Sequence, residues 1–237
     1  MTIRVVWNYN FLQEIQSFDR CLQYFHVLSF DTEFLGFLLA TPRFEKESIV
    51  YDDLRISVDS LKKNDFYHPD SIAFLKKNGL DFDEIKERGI PSTQFSKKFV
   101  EILKSHQGLR WVSFHANYDL AYLLKLVRRM PMPNSVVEFA RISGEIFGAI
   151  YDIKYMAHYC SELYYGEIGL AKMAKILGIK RRGEAHHAGS DSLLTADIYT
   201  KMATSIDLEI NSFEGCLYGI SHRFMRCSTT PIFVMQP

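Results

Sequence analysis

The segment HVLSFDTEF, residues 26–34, gives the clearest indication of the fold. Its apolar, β-forming first half predicts a mostly buried strand, and Asp31 and Glu33 lie near the end of that strand. Residues i and i+2 of a strand point to the same face, so both carboxylates are expected to face one site. Two buried carboxylates repel each other unless a cation lies between them, and oxygen ligands favour Mg²⁺ or Mn²⁺.

Further carboxylates stand where other elements begin. LRWVSFH, residues 109–115, predicts a second buried strand, and Asp119 follows it at the start of a helix. Asp191 begins another helix, after a glycine-flanked loop that contains His186. A histidine with an ordinary pKa of about 6.5 can act as a general base towards water. Ordinary alternatives remain open: an acid at a helix N-terminus, a surface strand end beside a basic side chain, and a loop histidine in solvent.

The spacing of apolar residues predicts strands that alternate with helices, which indicates an α/β layered domain. Helices are predicted at residues 11–25, 50–62, 71–77, 95–104, from 117 to near 131, 170–177 and 191–202. A third strand is predicted at residues 149–155, so only three strands are recognisable. We expect one domain that spans residues 1–237.

The composition is that of a globular protein, with 47% hydrophobic and 24% charged residues. It excludes a disordered chain, a collagen-like repeat and a coiled coil. Lys and Arg number 28 and so do Asp and Glu, which gives a formal net charge of zero. This balance argues against nucleic-acid binding by bulk charge and leaves a local, metal-filled site open. Neither a signal peptide nor a membrane span is recognisable, so we expect no membrane partner.

The order Asp-x-Glu, Asp and His-x-x-x-x-Asp resembles that of the DEDDh 3′-to-5′ exonucleases of the ribonuclease-H-like fold. The sequence motifs are similar to those of one branch, the CAF-type poly(A)-tail deadenylases associated with the carbon-catabolite-repressor–NOT complex. The motifs that carry the likeness are FDTEF (30–34), WVSFHANYDLAYLLKL (111–126), YDIKYM (151–156) and HHAGSDSLLT (186–195). The resemblance implies a three-layer α/β/α exonuclease fold with a mixed sheet, and a single deadenylase domain.

The resemblance also implies a site and a reaction. Asp31, Glu33, Asp119 and Asp191 would be the ligands of two divalent cations, Mg²⁺ or Mn²⁺, and His186 the general base. The implied enzyme is a poly(A)-specific ribonuclease, which hydrolyses the RNA 3′ end and releases 5′-AMP. The implied partners are the NOT scaffold and a second deadenylase subunit, and the expected location is nucleus and cytoplasm.

Two groups near the acids have open roles. Phe114, His115 and Tyr118 are candidates for stacking on the terminal bases, or equally are core residues that support the site. Lys180, Arg181 and Arg182 either contact phosphates or form the solvated basic end of a helix.

One segment departs from the family pattern. In the family a β-hairpin follows the helix equivalent to residues 50–62 and lies beside the first strand, and residues 61–70 are too short to hold it. The sequence therefore predicts a sheet without the hairpin, with the strand of Asp31 and Glu33 at an edge. Three alternatives stay open: an active deadenylase, a catalytically impaired member that binds the NOT scaffold, and a sequence that lacks a coding segment. A fourth alternative is a general single-strand exonuclease, and the GSDSLLT motif argues against it.

Overall fold

A computed structural model describes residues 3–33, 36–40, 51–54, 56–57, 69–205 and 209–225 of the chain. The strands are β1 Ile3–Val6, β2 Val27–Glu33, β3 Gly36–Ala40, β4 Tyr51–Leu54, β5 Ile56–Ser57, β6 Ile90–Pro91, β7 Arg110–Ser113 and β8 Ala149–Asp152. The helices are α1 Phe11–Cys21, α2 Pro69–Lys77, α3 Phe82–Arg88, α4 Ser92–Ser105, α5 Asn117–Arg128, α6 Val136–Phe147, α7 Ile153–Ala157, α8 Leu170–Ile176 and α9 Ala188–Ser205. Short 3₁₀ turns lie at Ser161–Gly166 and Ile210–Phe213.

The main sheet has six strands in the order β1-β4-β3-β2-β7-β8. β2, β7 and β8 run parallel to one another, and β3 runs antiparallel to both β2 and β4. β1 is parallel to β4, and β5 and β6 form a separate parallel pair. The carboxyl ends of β2, β7 and β8 therefore meet at one edge of the sheet, which is where open α/β sheets place their ligands.

The sheet lies between two helical layers. Leu28 and Phe30 of β2 are fully buried in one hydrophobic cluster, with residues of α1, α4, α5 and α6. Val27 packs against a second cluster, which contains residues of α7, α8 and α9. β7 alternates in the same way, with Trp111 in the first cluster and Val112 in the second. The predicted three-layer α/β/α architecture with a mixed sheet is confirmed.

Helix α5 shows why the sequence folds as it does next to the site. Leu120, Leu123, Leu124 and Val127 recur at helical spacing, and all four are buried. One face of the helix is therefore apolar along its whole length, and it packs against α4 and β2. The helix fixes the position of the acidic residue in its first turn, Asp119.

Most predicted helices exist near their predicted bounds, whereas the predicted helix 50–62 is wrong. Residues 51–54 form β4, which pairs with β1 and β3, and residues 56–57 form β5. Pairing on two sides satisfies the backbone groups of β4, and this outweighs the weak helical spacing of its apolar residues. The sequence pattern also missed β1, α3 and α6.

The predicted edge position of the strand that carries Asp31 and Glu33 is wrong as well, whereas residues 61–68, where the prediction finds no room for a hairpin, lie outside the described residues. β3 and β4 are an antiparallel pair next to β2, and they precede residue 61 rather than follow it. Within the sheet, β2 is paired on both sides, with β3 and with β7. The strand that carries Asp31 and Glu33 is therefore central, and its register is fixed by two neighbours. Of the helices in the ranges given above, none is long and apolar enough to cross a membrane.

Candidate active site

Polar residues occupy the carboxyl ends of the three parallel strands. Asp31 and Thr32 lie at the end of β2, Ser113 ends β7 and Asp152 ends β8. Parallel pairing of β2 with β7 and of β7 with β8 brings these ends to one edge of the sheet. Helix α5 begins four residues after Ser113, so its first turn lies at the same edge.

Asp119 lies in that first turn and is bound to the ends of β2 and β7. Its Oδ1 accepts hydrogen bonds from the Thr32 hydroxyl and from the Thr32 backbone N–H, the latter at 3.0 Å. Its Oδ2 accepts from the Ser113 hydroxyl at 3.2 Å. Burial raises the pKa of Asp119 to about 6, although the bonds from Thr32 and Ser113 lower it; the charge of Asp152 also raises it. The site thus contains a buried carboxyl group that ionises with difficulty unless a positive charge is nearby.

Asp31 faces the other helical layer. Leu28, Phe30 and Thr32 alternate with it along β2, and they face the layer that contains α5. Asp31 is therefore on the face covered by α9, which packs across β2, β3 and β7. Glu33 is the last residue of β2, and its backbone pairs with Gly36 of β3. The Glu33 side chain is not part of the described structure.

Asp191 begins α9 and has a basic partner. Its Oδ1 accepts from the Arg181 guanidinium, and its Oδ2 accepts from the His186 backbone N–H at 3.1 Å. Arg181 also donates to the Ser190 hydroxyl at 3.0 Å, and Arg182 pairs with Asp197. Arg181 and Arg182 therefore attach the loop before α9 to that helix. The sequence predicts either contacts to phosphates or a solvated basic helix end for these residues, and neither interpretation includes these ion pairs.

His186 is exposed, and its ring packs edge-to-face on the Phe74 ring with 4.9 Å between the centroids. Its backbone is left-handed, with φ of 63°. The contact with Asp191 is made by the His186 backbone, so the structure joins the two residues without directing the imidazole at the carboxylate.

The predicted ligands are only partly brought together. In the part of the chain that the structure describes, no three His, Cys, Asp or Glu side chains form a group able to hold a metal ion. Asp119 is hydrogen-bonded to Thr32, the residue that follows Asp31, whereas Asp191 forms an ion pair with Arg181. The donor chemistry nevertheless fits a hard cation, because every described member supplies carboxylate oxygens. Burial raises the pKa of Asp119, and a cation bound next to this carboxyl group would lower it again.

Sequence reasoning missed Asp152 and Thr32 at this edge, as well as Ser113, whose hydroxyl donates to Asp119. Asp152 is fully buried and accepts four backbone N–H bonds, from His115, Ala116, Lys154 and Tyr218. Burial raises the pKa of Asp152, and the four donors oppose that shift. An aspartate between a buried strand and a helix is a typical N-cap signal that could have found it. Thr32 gave no such signal, because its role depends on Asp119, 87 positions further along the chain.

The three proposed stacking residues differ in their surroundings. Phe114 is half-buried and packs against the second hydrophobic cluster. His115 is half-buried, with φ of 62°, and its ring is perpendicular to the Tyr218 ring at 5.4 Å. Tyr118 is 71% exposed. Phe114 therefore fits the interpretation as a core residue that supports the site. For His115 and Tyr118, contact with the terminal bases of the substrate stays a prediction.

We expect Thr32→Val to lower the free energy of unfolding by ~2 kcal/mol, because it removes a hydroxyl donor to a buried carboxyl group and keeps the side-chain volume. Urea denaturation at pH 7.5 in EDTA measures the loss. Thr32→Ser keeps the hydroxyl and is the matched control, with an expected loss less than half as large. Equal losses in the two variants would show that the hydroxyl bond to Asp119 contributes nothing.

Comparison with known proteins identifies the family and agrees with the fold. The family described as CAF1 family ribonuclease matches residues 92–199. Probable CCR4-associated factor 1 homolog 5 of Arabidopsis thaliana is 38% identical in an alignment of 225 residues, gaps included, which covers 83% of this chain and 81% of that protein. The poly(A) ribonuclease pop2 of Schizosaccharomyces pombe is 34% identical in an alignment of 230 residues, gaps included, which covers 83% of this chain and 68% of that protein.

A solved structure of S. pombe Pop2p in its Mg²⁺- and Mn²⁺-bound form matches with a TM-score of 0.80 and 28% identity, over 93% of this chain and 100% of that one. The layered sheet and its acidic edge place the chain in the class of ribonuclease-H-like exonuclease folds. Within that class, the chain belongs to the CAF1 family of ribonucleases.

Proposed function

We propose that this chain is a 3′-to-5′ exoribonuclease that uses two divalent cations to remove poly(A) tails from mRNA and releases 5′-AMP. The observation that carries the proposal is the buried Asp119 carboxyl group, which is bound to the end of the strand that contains Asp31. The poly(A) ribonuclease pop2, 34% identical, and the Mg²⁺- and Mn²⁺-bound Pop2p structure support it.

In this proposal Asp31, Glu33, Asp119 and Asp191 hold the cations, which on binding supply water activation and stabilisation of the leaving 3′-oxygen. The chain's own bonds orient the ligands. Thr32 and Ser113 hold the two oxygens of Asp119 in one rotamer. A local site of this kind needs no large basic surface, which is consistent with the formal net charge of zero.

We assign His186 the role of accepting a proton from the attacking water. Support comes from its place in the loop that the Arg181 bonds to Ser190 and Asp191 attach to α9. The His186 imidazole is exposed, and Phe74 provides its one ring contact among the described residues, so it is accessible to water.

We propose further that the chain assembles with a NOT scaffold and a second deadenylase subunit, in nucleus and cytoplasm. The relatives' names support the complex, since the Arabidopsis proteins are called CCR4-associated factor 1 homologs. A yeast CAF1 that shares this fold, with a TM-score of 0.70 and 17% identity, was co-crystallised with the NOT1 MIF4G domain.

The deciding experiment is incubation of the purified chain with a 5′-labelled RNA that ends in ~20 adenosines. We expect stepwise shortening with Mn²⁺ or Mg²⁺, none in EDTA, and slower removal of a mixed-sequence 3′ end. The Asp31→Ala protein, purified in parallel, should be inactive. Equal shortening by that variant would mean that a contaminating nuclease is responsible.

A non-catalytic scaffold-binding role is the second candidate. The ion pair between Asp191 and Arg181 favours it, because Arg181 supplies the positive charge that a cation would otherwise provide. This role predicts binding to a NOT1 MIF4G domain together with no shortening of the RNA at any metal concentration. Metal-dependent turnover would rule it out as the sole function.

A further inference from the structure

A lysine and three aromatic rings form a cluster beside the acidic edge. The Lys154 ammonium lies 4.7 Å from the centroid of the Tyr218 ring and 5.7 Å from that of Phe114. The His115 ring stands perpendicular to Tyr218 at 5.4 Å. We call Phe114, His115, Lys154 and Tyr218 the lysine–aromatic cluster.

The backbone of the cluster is anchored at one buried point. Asp152 accepts hydrogen bonds from the backbone N–H groups of His115 at 2.9 Å, Lys154 at 2.9 Å and Tyr218 at 3.0 Å. The Asn117 side-chain amide donates to the Tyr218 carbonyl at 2.8 Å. Three segments that are distant in sequence are thus held together by a single carboxyl group, so the cluster is preorganised.

The backbone at His115 is strained, which is consistent with a functional constraint. Its φ of 62° lies in the left-handed region, which histidine adopts more readily than most residues but still at a cost. The strain is balanced by the bonds that His115 and the next residue, Ala116, donate to Asp152. The turn directs His115 towards Tyr218 instead of continuing β7.

The Lys154 ammonium keeps its donors available. Ring faces attract a cation but use none of its N–H groups as ordinary hydrogen bonds. Among the described residues, no carboxylate forms an ion pair with Lys154, and Glu167 instead accepts the Tyr218 hydroxyl at 2.8 Å. Lys154 is half-buried, so an anion that reaches it is partly shielded from water.

The cluster and the candidate active site share the same edge of the sheet. His115 and Asp119 lie in one stretch between β7 and the first turn of α5. Lys154 follows β8, the neighbour of β7 in the sheet. Lys154 therefore lies at the edge of the sheet that an RNA strand has to approach if its 3′ end is to reach Asp119.

We propose that the lysine–aromatic cluster is a phosphate subsite for the RNA strand, in which Lys154 binds a backbone phosphate other than the scissile one. Tyr218 and Phe114 hold the ammonium in place, and Asp152 holds the backbone of three cluster members. The ligand class is a single-stranded polynucleotide, recognised here through its phosphodiester charge rather than its bases. This inference rests on the proposed function.

The test compares Lys154→Met with Lys154→Arg and Lys172→Met. Lys172 is a matched control, because its ammonium also lies over a tyrosine, 4.6 Å from the Tyr164 ring, on the exposed surface of α8. Binding of fluorescent oligo(A) is measured by anisotropy in EDTA over a range of salt concentrations. For Lys154→Met we expect ~10-fold weaker binding and a salt slope smaller by ~0.7, the value for one lost phosphate contact on a single strand.

Lys154→Arg should bind within ~3-fold of the unchanged protein, because the charge is kept, and Lys172→Met should bind as the unchanged protein does. With Mn²⁺ present, Lys154→Met should raise KM ~10-fold at nearly unchanged kcat, the pattern of lost uniform binding. Unchanged binding in Lys154→Met, an unchanged salt slope or an equal loss in Lys172→Met would overturn the subsite. Failure of the unchanged protein to shorten RNA would refute the proposed function alone, since the binding measurement needs no turnover.

Discussion

Asp119→Asn is expected to abolish RNA shortening and, at the same time, to stabilise the metal-free protein at neutral pH. Loss of one charged ligand removes several kcal/mol of transition-state stabilisation, so kcat/KM should fall at least ~10³-fold. The amide keeps an oxygen that can accept from Thr32 and has an NH₂ group that can donate to the Ser113 hydroxyl. The substitution is therefore close to isosteric and removes mainly the charge.

The stabilisation follows from the raised pKa of Asp119. Burial raises this pKa to about 6 in the folded, metal-free chain, while the group has the ordinary value of ~3.9 when unfolded. As the pH rises from ~4 to ~6, the unfolded chain loses this proton before the folded chain does, so folding stability falls and stays lower above pH 6. The loss amounts to ~3 kcal/mol, which an uncharged amide side chain at the same position would not incur.

Thermal unfolding in EDTA at pH 7.5 and pH 4 measures this difference. We expect Tm to rise by ~6–12 °C for Asp119→Asn at pH 7.5 and to change little at pH 4. Glu145→Gln is the matched control, because it removes a carboxylate that is paired with Arg141 on α6, away from the candidate site and from the loop before α9. It should not raise stability and should leave activity intact. Retained activity in Asp119→Asn would remove Asp119 from the metal ligands, and equal Tm shifts at both pH values would contradict the buried-charge explanation.

The parts of the fold that sequence predicts are those with strong local periodicity. In β2 the buried apolar residues Leu28 and Phe30 lie on one face and the carboxylates on the other, as the alternation along a strand requires. In α5 the leucines follow helical spacing. The acids predicted at the site follow from the same elements, because Asp31 ends a strand and Asp119 and Asp191 begin helices. Local pattern thus determines which residues approach the site.

The parts that sequence misses depend on contacts between distant segments. β3 is a short, almost wholly apolar run that fits a strand or a buried helix equally, and only its pairing with β2 and β4 decides. The partner of Asp191 is Arg181, and no spacing rule distinguishes such an arginine from one that contacts phosphate. Thr32 lies between two acids of the motif, and its role appears only when Asp119 is folded against it.

One short connection joins Asp119 to the proposed phosphate subsite. Ser113 bonds to Asp119, and His115 and Ala116 bond to Asp152, all within residues 113–119. The two carboxyl groups therefore share one rigid segment of backbone, and each contributes to the geometry around the other. Damage at Asp152 is expected to spread to both functions.

Asp152→Asn is accordingly expected to lower the free energy of unfolding by ~3–5 kcal/mol. The amide retains one acceptor oxygen and places an NH₂ group against donors that pointed at the carboxylate, which leaves buried N–H groups without partners at ~1–3 kcal/mol each. Asp81→Asn is the matched control: Asp81 also caps a helix, accepting from Glu84 N–H at 2.9 Å, but on the exposed surface, where Asn caps equally well.

Urea denaturation gives the stability of both variants, and hydrogen exchange by mass spectrometry locates the damage. Peptides that contain His115, Ala116 and Tyr218 should exchange faster in Asp152→Asn, and peptides from α4, which makes no bond to Asp152, should lose protection only through global unfolding. If Asp152→Asn proves too unstable to purify while Asp81→Asn behaves as the unchanged protein, the large effect is confirmed by that contrast. A loss below ~1 kcal/mol, with unchanged exchange at those three amides, would show that the four bonds to Asp152 do not hold this part of the fold together.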